Sequence, residues 1–390
     1  MTANRDIYDN VVDRAAMIRL FEQKLLGKVN LELDGHTIRM NKLLNKNLQA
    51  RRIWDDIDNE LSGTYNSLDS LTSRDLRELC FDQEAGTVGL FGGVIGNVAE
   101  ISRPPDRIAE EIVLKRPLYS DVVLSNGWKG ISTRERVAVE AVIRNLLAKG
   151  AKESDIVKAV APALGVARNQ ATGLVRTAIT SVRSQADHEV YKANSNFLRG
   201  WQYVAILDSR TTPVCAHRDG HIYPIGDIAH LPPAHWHCRS TTVPVVKSYE
   251  ELAKLDAIAG IRKRNLESLT PEQREYYDGE AYSDESYQDW LMRQPYEIRL
   301  AHLGDPAKVE MFTNREITVD GFNVGDREVS LHELRKKTVS PLGVPGDVRR
   351  FADAKLKLDA IKLDFSTPDE LVGDADRAKM LREYYLLQAG

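Results

Sequence analysis

The chain has little of what defines several protein classes. Its 390 residues include only three cysteines, and three cannot all pair with one another, so a disulfide scaffold is excluded and a reducing compartment is favoured. No uninterrupted apolar run approaches the roughly 18 residues of a membrane span. The first residues lack the basic and apolar regions of a secretory signal. We therefore expect a protein made in the cytoplasm, with no stable membrane span.

The sequence also lacks an excess of charge of either sign. It has 53 Lys and Arg against 57 Asp and Glu, a formal net charge of −4. Without a global basic field, attraction of the whole surface to nucleic acid is not expected. Local basic clusters occur at 261–264 and 349–357. We interpret them mainly as solvated helix faces, with non-specific contact to DNA as the alternative.

Apolar residues recur at helical spacing through most of the chain. Near the N-terminus they follow steps of three, four and seven, which predicts a helix that ends near Gly27. A second periodic stretch covers 38–61. Ser132 and Glu135 form a capping-box pattern, which predicts the start of a helix that Gly150 closes. Further predicted helices cover 154–165, 167–193, 249–259, 271–277, 287–292 and 350–363, and predicted strands cover 201–207 and 240–246.

These patterns predict a mainly helical α+β fold, in which long helices flank a small β-containing unit rich in Cys and His. At roughly 100–200 residues per domain, the length allows two or three domains. We divide the chain into a helical N-terminal region, 1–130, a central core, 131–247, and a mostly helical C-terminal region, 248–390. The uncharged, glycine-rich segment 85–99 is interpreted as a closely packed helix contact rather than a membrane-inserting peptide.

Cys and His residues cluster in the centre of the chain. Five of the nine histidines and two of the three cysteines fall within residues 215–238. Thiolate and imidazole are the ligands that zinc prefers, and a structural site takes four of them. His235 and Cys238 form a half-site, Cys215 offers a third ligand, and His217 or His221 a fourth. The alternative is that these side chains only pack and form hydrogen bonds.

The residues are compatible with two other functions. The first is a zinc-dependent nuclease or hydrolase centred on 215–238, although no spacing there matches a catalytic signature. The second is a helix-turn-helix DNA-binding module within 155–185, with its turn near Gly165. Pro162 lies poorly in the first helix of such a motif.

The order of residues around the cluster resembles the signature of phage Mu protein F-like minor head proteins. The matching stretches are Asp-Ser-Arg-Thr, a Cys, Asp-Gly and Pro-Pro-Ala-His-Trp-His-Cys-Arg, between 208 and 239. Many relatives carry Cys at the position of Thr212, which gives a zinc-like set of ligands. The resemblance implies a buried Asp–Arg bridge that closes the loop. Its structural motif comprises Asp208, Arg210, Thr211, Gly220, Pro232, Pro233 and Arg239.

A second resemblance lies downstream, to the tails of many phage head morphogenesis proteins. We expect an interaction motif there, comprising Trp290, Gln294, Pro295, Leu303, Gly304 and Leu334.

Together the resemblances imply a structural protein of a tailed-phage virion, without catalysis. The expected place is the interior of the phage head near the portal, after synthesis in the host cytoplasm. The expected role is in head assembly or in genome packaging or ejection. The implied partners are the portal protein, the major capsid protein, further copies of the chain and packaged DNA.

Overall fold

A computed structural model describes residues 2–47, 52–208, 210–255, 260–277, 286–324 and 327–328. The chain forms two compact units. The first comprises Met1–Val204 and His221–Ser283, and the second comprises Ala205–Gly220 and Asp284–Gly390. Long helices and a small antiparallel sheet confirm the predicted mainly helical α+β class.

The first unit is built on four long helices. Its elements are α1 (Ala3–Asn47), α2 (Ile53–Val94), α3 (Ile108–Leu114), α4 (Leu124–Ala148), α5 (Glu153–Ala193), β1 (Leu198–Val204), β2 (Ile222–Tyr223), β3 (Thr241–Val246), α7 (Tyr249–Ala253), α8 (Lys263–Glu267) and α9 (Pro271–Glu275). The second unit contains α6 (Pro213–Arg218), α10 (Tyr287–Arg293), α11 (Tyr296–Leu303), α12 (Pro306–Thr313), β4 (Asn323–Val324) and β5 (Arg327–Glu328).

The N-terminal helices are longer than predicted. α1 continues through Gly27, and the periodic stretch 38–61 is divided between α1 and α2. A glycine inside a helix costs about 1 kcal/mol relative to alanine. Buried Leu25 and Val29 on either side of Gly27 anchor the helix in the core, because packing of an apolar face outweighs local propensity.

The capping box predicted at Ser132 and Glu135 is wrong. α4 begins eight residues before Ser132, at Leu124, and Glu135 is buried in its interior. Its carboxylate accepts hydrogen bonds from the Tyr65 hydroxyl and from His36 Nε2, the latter at 3.1 Å. Gly150 has a φ of 68° just beyond the helix end, as predicted.

The predicted break near Gly165 is also absent. α5 is a single helix from Glu153 to Ala193, so the helix-turn-helix prediction is wrong. Pro162 lies inside it on an exposed face, where water can solvate the carbonyl of Lys158 that loses its amide donor.

The glycine-rich segment lies mostly inside α2. Phe91 is fully buried there, and Ile95 and Val98 are buried just beyond the helix end. The Phe91 ring meets the ring of Phe197 edge to face, with 5.4 Å between centroids. The apolar side of the segment is therefore packed in the core, but three of its glycines make no close contact, because a Cβ at Gly89, Gly92 or Gly93 would meet nothing within 4 Å. In the described part of the chain, no helix has the length and apolarity to cross a bilayer.

The sheet of the first unit has the antiparallel order β2-β1-β3. β1 and β3 correspond to the two predicted strands, shifted by up to three residues. Trp201 at the centre of β1 pairs with Tyr223 of β2 on one side and with Pro244 of β3 on the other. The Val246 amide, near the sheet edge, donates to Asn4 Oδ1 of α1 at 2.8 Å.

The second unit has its own small core, which includes Leu291 and Phe312. Asp305 begins α12 by accepting a hydrogen bond from the Ala307 amide at 2.8 Å, as an N-cap does. The helix predicted over 350–363 and the basic cluster at 349–357 lie outside the described residues.

Candidate functional site

The second half of α5 is a buried platform for the segment that carries the Cys/His cluster. Three of its residues, one helical turn apart, face that segment. A Cβ on Gly173 would lie 2.8 Å from His237 Nε2. Thr177 Oγ1 accepts from the His237 amide at 3.0 Å, and Thr180 Oγ1 donates to the Cys238 carbonyl at 2.7 Å. The helix therefore fixes the backbone of this segment at two successive residues.

His235 and Cys238 form the predicted half-site. Their backbones close a turn, in which the Cys238 amide donates to the His235 carbonyl at 3.2 Å. His235 Nδ1–H donates to the Trp236 carbonyl at 2.7 Å. Burial acts to lower the pKa of His235, but a hydrogen bond with Cys238 and the charge of its thiolate raise that pKa above its ordinary value.

Cys215 and His217 lie in α6 of the second unit, whereas His235 and Cys238 lie in the first unit. Both cysteines are buried, and His217 is partly exposed. The four-residue ligand set stays a prediction.

The half-site of His235 and Cys238 suits zinc. Thiol sulfur and imidazole nitrogen are both ligands of structural zinc sites. Metal-bound histidines usually donate their second ring N–H to a carbonyl or carboxylate, which fixes the ring orientation. The hydrogen bond from His235 Nδ1 to Trp236 has this form and leaves Nε2 as the ligand nitrogen.

The bridge expected among Asp208, Arg210 and Arg239 is not a buried pair of Asp208 with Arg210. The Arg210 guanidinium lies 3.5 Å from Asp208 Oδ2, but the Arg210 side chain is 75% exposed. The turn is held by backbone contacts. The Asp208 amide donates to Thr211 Oγ1 at 3.0 Å, and the Thr211 hydroxyl donates to the Ile206 carbonyl. Arg239 is partly buried.

The remaining motif residues shape the backbone. Gly220 has a φ of 77°, which favours glycine, and the Pro232–Pro233 peptide is cis. Pro232 is buried. These residues set the direction of the backbone and carry no chemically reactive side chain.

Two further histidines of the first unit have structural partners. His230 Nδ1 lies 2.7 Å from Asp227 Oδ2, and its ring stacks on Tyr223 at 4.5 Å between centroids. His188 of α5, which the sequence analysis missed, donates through Nε2 to the Ile225 carbonyl at 2.6 Å. Burial lowers the pKa of His188.

The predicted interaction motif lies in α10, in α11 and at their ends. Trp290 packs against His302 with 5.3 Å between ring centroids, and Gln294 Nε2 donates to the Trp290 carbonyl at 3.1 Å. Pro295 precedes α11, Leu303 is buried at its end, and Gly304 follows in the left-handed conformation. In the described structure these residues build the second unit, and Leu334 lies outside the described residues.

Comparison with known proteins yields one match. Residues 137–243 match the family model described as phage Mu protein F like protein. This segment is phage Mu F-like. It contains the C-terminal half of α4, all of α5, β1 and β2, the first half of β3 and the Cys/His cluster, so the first resemblance seen in the sequence is confirmed. The comparisons with curated proteins and with solved structures gave no match.

Proposed function

We propose that the protein is a minor structural component of a tailed-phage head, located inside the shell near the portal and active in head assembly or in genome packaging or ejection. The observation that carries this proposal is the phage Mu F-like match over 137–243. The match is to a family of head proteins, and it covers the part of the chain in which α5 supports the Cys/His segment.

The architecture suits a binding role. The second half of α5 is buried almost throughout, and its threonines hold residues 237 and 238 in place. Such a rigid support presents fixed surfaces to the portal protein or the major capsid protein, with no step of chemistry required. The partly exposed basic residues at 262–264 offer a local contact with packaged DNA.

Quantitative mass spectrometry of purified virions tests this proposal. We expect a low copy number in DNA-filled heads, well below that of the shell protein. Loss after genome ejection would identify a delivery role, and retention would identify a portal or shell component. Complete absence from filled heads would contradict the proposed location in the virion.

We also propose that Cys215, His217, His235 and Cys238 bind zinc as a structural ion, which would hold the loop in its fold. Elemental analysis of the purified protein should find about one zinc per chain, since these four residues supply one tetrahedral donor set. Cys238→Ser and His235→Ala should lose it. His230→Ala is the matched control in the same segment and should retain it.

The nuclease alternative is tested with the same variants. Purified protein is incubated with duplex and single-stranded DNA in the presence of Mg²⁺, Mn²⁺ or Zn²⁺. The structural proposal expects no cleavage. Metal-dependent cleavage that His235→Ala abolishes would support a hydrolase instead.

A further inference from the structure

α1 has apolar residues on two opposite faces. The inner face is buried against the rest of the first unit and includes Leu25, Val29 and Leu33. The outer face exposes four large apolar side chains to solvent: Met17 at 65%, Leu20 at 60%, Leu31 at 74% and Ile38 at 68% exposed. Single exposed apolar residues are ordinary, but four aligned along one helix mark an interaction surface.

The outer face repeats with the spacing of a coiled coil. We define the outer stripe as Met17, Leu20, Lys24, Gly27, Leu31, Asp34 and Ile38. Their separations alternate between three and four residues, so the mean repeat of 3.5 keeps them on one side of a helix that pairs with another. At 1.5 Å per residue, the stripe is roughly 32 Å long.

The outer stripe is complementary to itself when two copies run in opposite directions. With Leu20 opposite the partner's Ile38, Lys24 falls opposite the partner's Asp34, and Gly27 falls opposite the partner's Leu31. Each of these pairs occurs twice, as two-fold symmetry requires. A Cβ at Gly27 would meet nothing within 4 Å, so the glycine leaves an open position into which a leucine side chain can pack.

Charge selects the direction of pairing. A parallel arrangement in register would place Lys24 against the partner's Lys24 and Asp34 against the partner's Asp34, which repel. The antiparallel arrangement places opposite charges together. Asp34 is 60% exposed and pairs with Arg168 of the same chain, so it has one side open to solvent for a second cation.

We propose that the protein forms a two-fold symmetric dimer through antiparallel pairing of the outer stripes of α1. α1 lies outside the phage Mu F-like segment, and the inference does not rest on the proposed function. It commits to a second copy of this chain as the occupant of the surface.

Sedimentation velocity of the full chain over a range of concentrations tests the dimer. We expect the mass of two chains at high concentration and dissociation on dilution. Leu31→Glu should leave a monomer at all concentrations, because it places two carboxylates between the paired outer stripes. Val137→Glu is the control, since Val137 is also largely exposed but lies on α4, and this variant should remain a dimer. A wild-type protein that is monomeric throughout would overturn the proposal.

Charge exchange tests the register. Lys24→Asp or Asp34→Lys alone should weaken the dimer at least several-fold. The double variant Lys24→Asp/Asp34→Lys should recover most of the affinity, because both opposite-charge pairs form again with reversed sign. Failure of the double variant to recover any affinity would contradict this register.

Disulfide mapping tests the direction. In the double variant Leu20→Cys/Ile38→Cys, mild oxidation should link residue 20 of one chain to residue 38 of the other, as identified by mass spectrometry of the joined peptides. The three native cysteines are buried. Links from 20 to 20 and from 38 to 38 would overturn the antiparallel arrangement.

Discussion

Substitution of Gly173 by alanine tests whether α5 supports the Cys/His segment. The added Cβ would lie 2.8 Å from Nε2 and 2.9 Å from Cε1 of His237, well inside van der Waals contact. The ring is exposed and can turn toward solvent, but the backbone that carries it has little freedom to move away. Its own amide is bound to Thr177, the next carbonyl is bound to Thr180, and His237 already has a φ of 62°.

The expected magnitude follows from two opposing effects. Replacing a glycine in a helix interior by alanine stabilises the helix by about 1 kcal/mol. Forcing an extra carbon into a packed contact costs about 1–3 kcal/mol. Gly165→Ala is the matched control in the same helix, because its Cβ would meet nothing within 4 Å. The free energy of unfolding should therefore differ between the two variants by about 1 kcal/mol, the lower end of this range, because the exposed ring can turn aside; Gly165→Ala should be the more stable.

Two measurements separate this account from a simple change in helix stability. Urea denaturation gives the difference in unfolding free energy. Hydrogen exchange at the amides of His237 and Cys238 reports directly on the attached segment, and it should accelerate in Gly173→Ala alone. Equal stabilisation of both variants, with unchanged exchange at these two amides, would refute the proposed support.

Three further substitutions test the core of the first unit. Burial acts to lower the pKa of His36, but Glu135 and Glu60 raise that pKa above its ordinary value. The wild-type protein should therefore lose stability as pH rises from about 6.5 through the raised pKa. Denaturation at several pH values should show no such loss for His36→Gln. Trp128→Phe removes the indole N–H that donates to Thr72 Oγ1, 2.9 Å away, and should lower the free energy of unfolding by about 1 kcal/mol. Trp54 is less buried, so an equal or larger loss in Trp54→Phe would contradict this expected contribution of the Trp128 hydrogen bond. Phe91→Ala should lower the free energy of unfolding by about 3–5 kcal/mol. In a separate test of the glycine-rich segment, liposome flotation should show no binding by the wild-type protein.

The sequence correctly predicts those elements whose pattern depends only on residues close together in the chain. β1 and β3 carry aromatic and β-branched residues between turns, and both appear close to their predicted positions. The half-site of His235 and Cys238 is also local, because three residues of separation fit one tight turn. Cys215 and His217 are predicted as ligands from their residue types alone, because thiol and imidazole suit zinc.

Other features depend on partners distant in sequence and were missed. The platform residue Thr180 carries no signal of its own, because a threonine on a helix is ordinary until the chain places a backbone segment over it. Helix ends were misjudged for a related reason. Gly27 and Gly165 look like stops in isolation, yet each helix continues because its opposite face is packed in the core.

The misreading of Glu135 shows why apolar periodicity alone leaves this bundle underdetermined. Long helices with repeating apolar faces can pack in several alignments, each shifted by a turn. A buried polar group removes that freedom, because a shift would leave it without a partner. Glu135 binds His36 and Tyr65 from two other helices.

A second buried cluster acts in the same way between α2 and α5. Asp187 accepts from Gln83 Nε2 at 3.0 and 2.9 Å and from Thr87 Oγ1 at 2.6 Å. The two clusters fix α2 against its neighbours at points far apart along its length. Since Ser, Thr and Glu serve equally well in helix caps and in buried networks, the residue types alone do not distinguish these roles; only the position of the partner helix does.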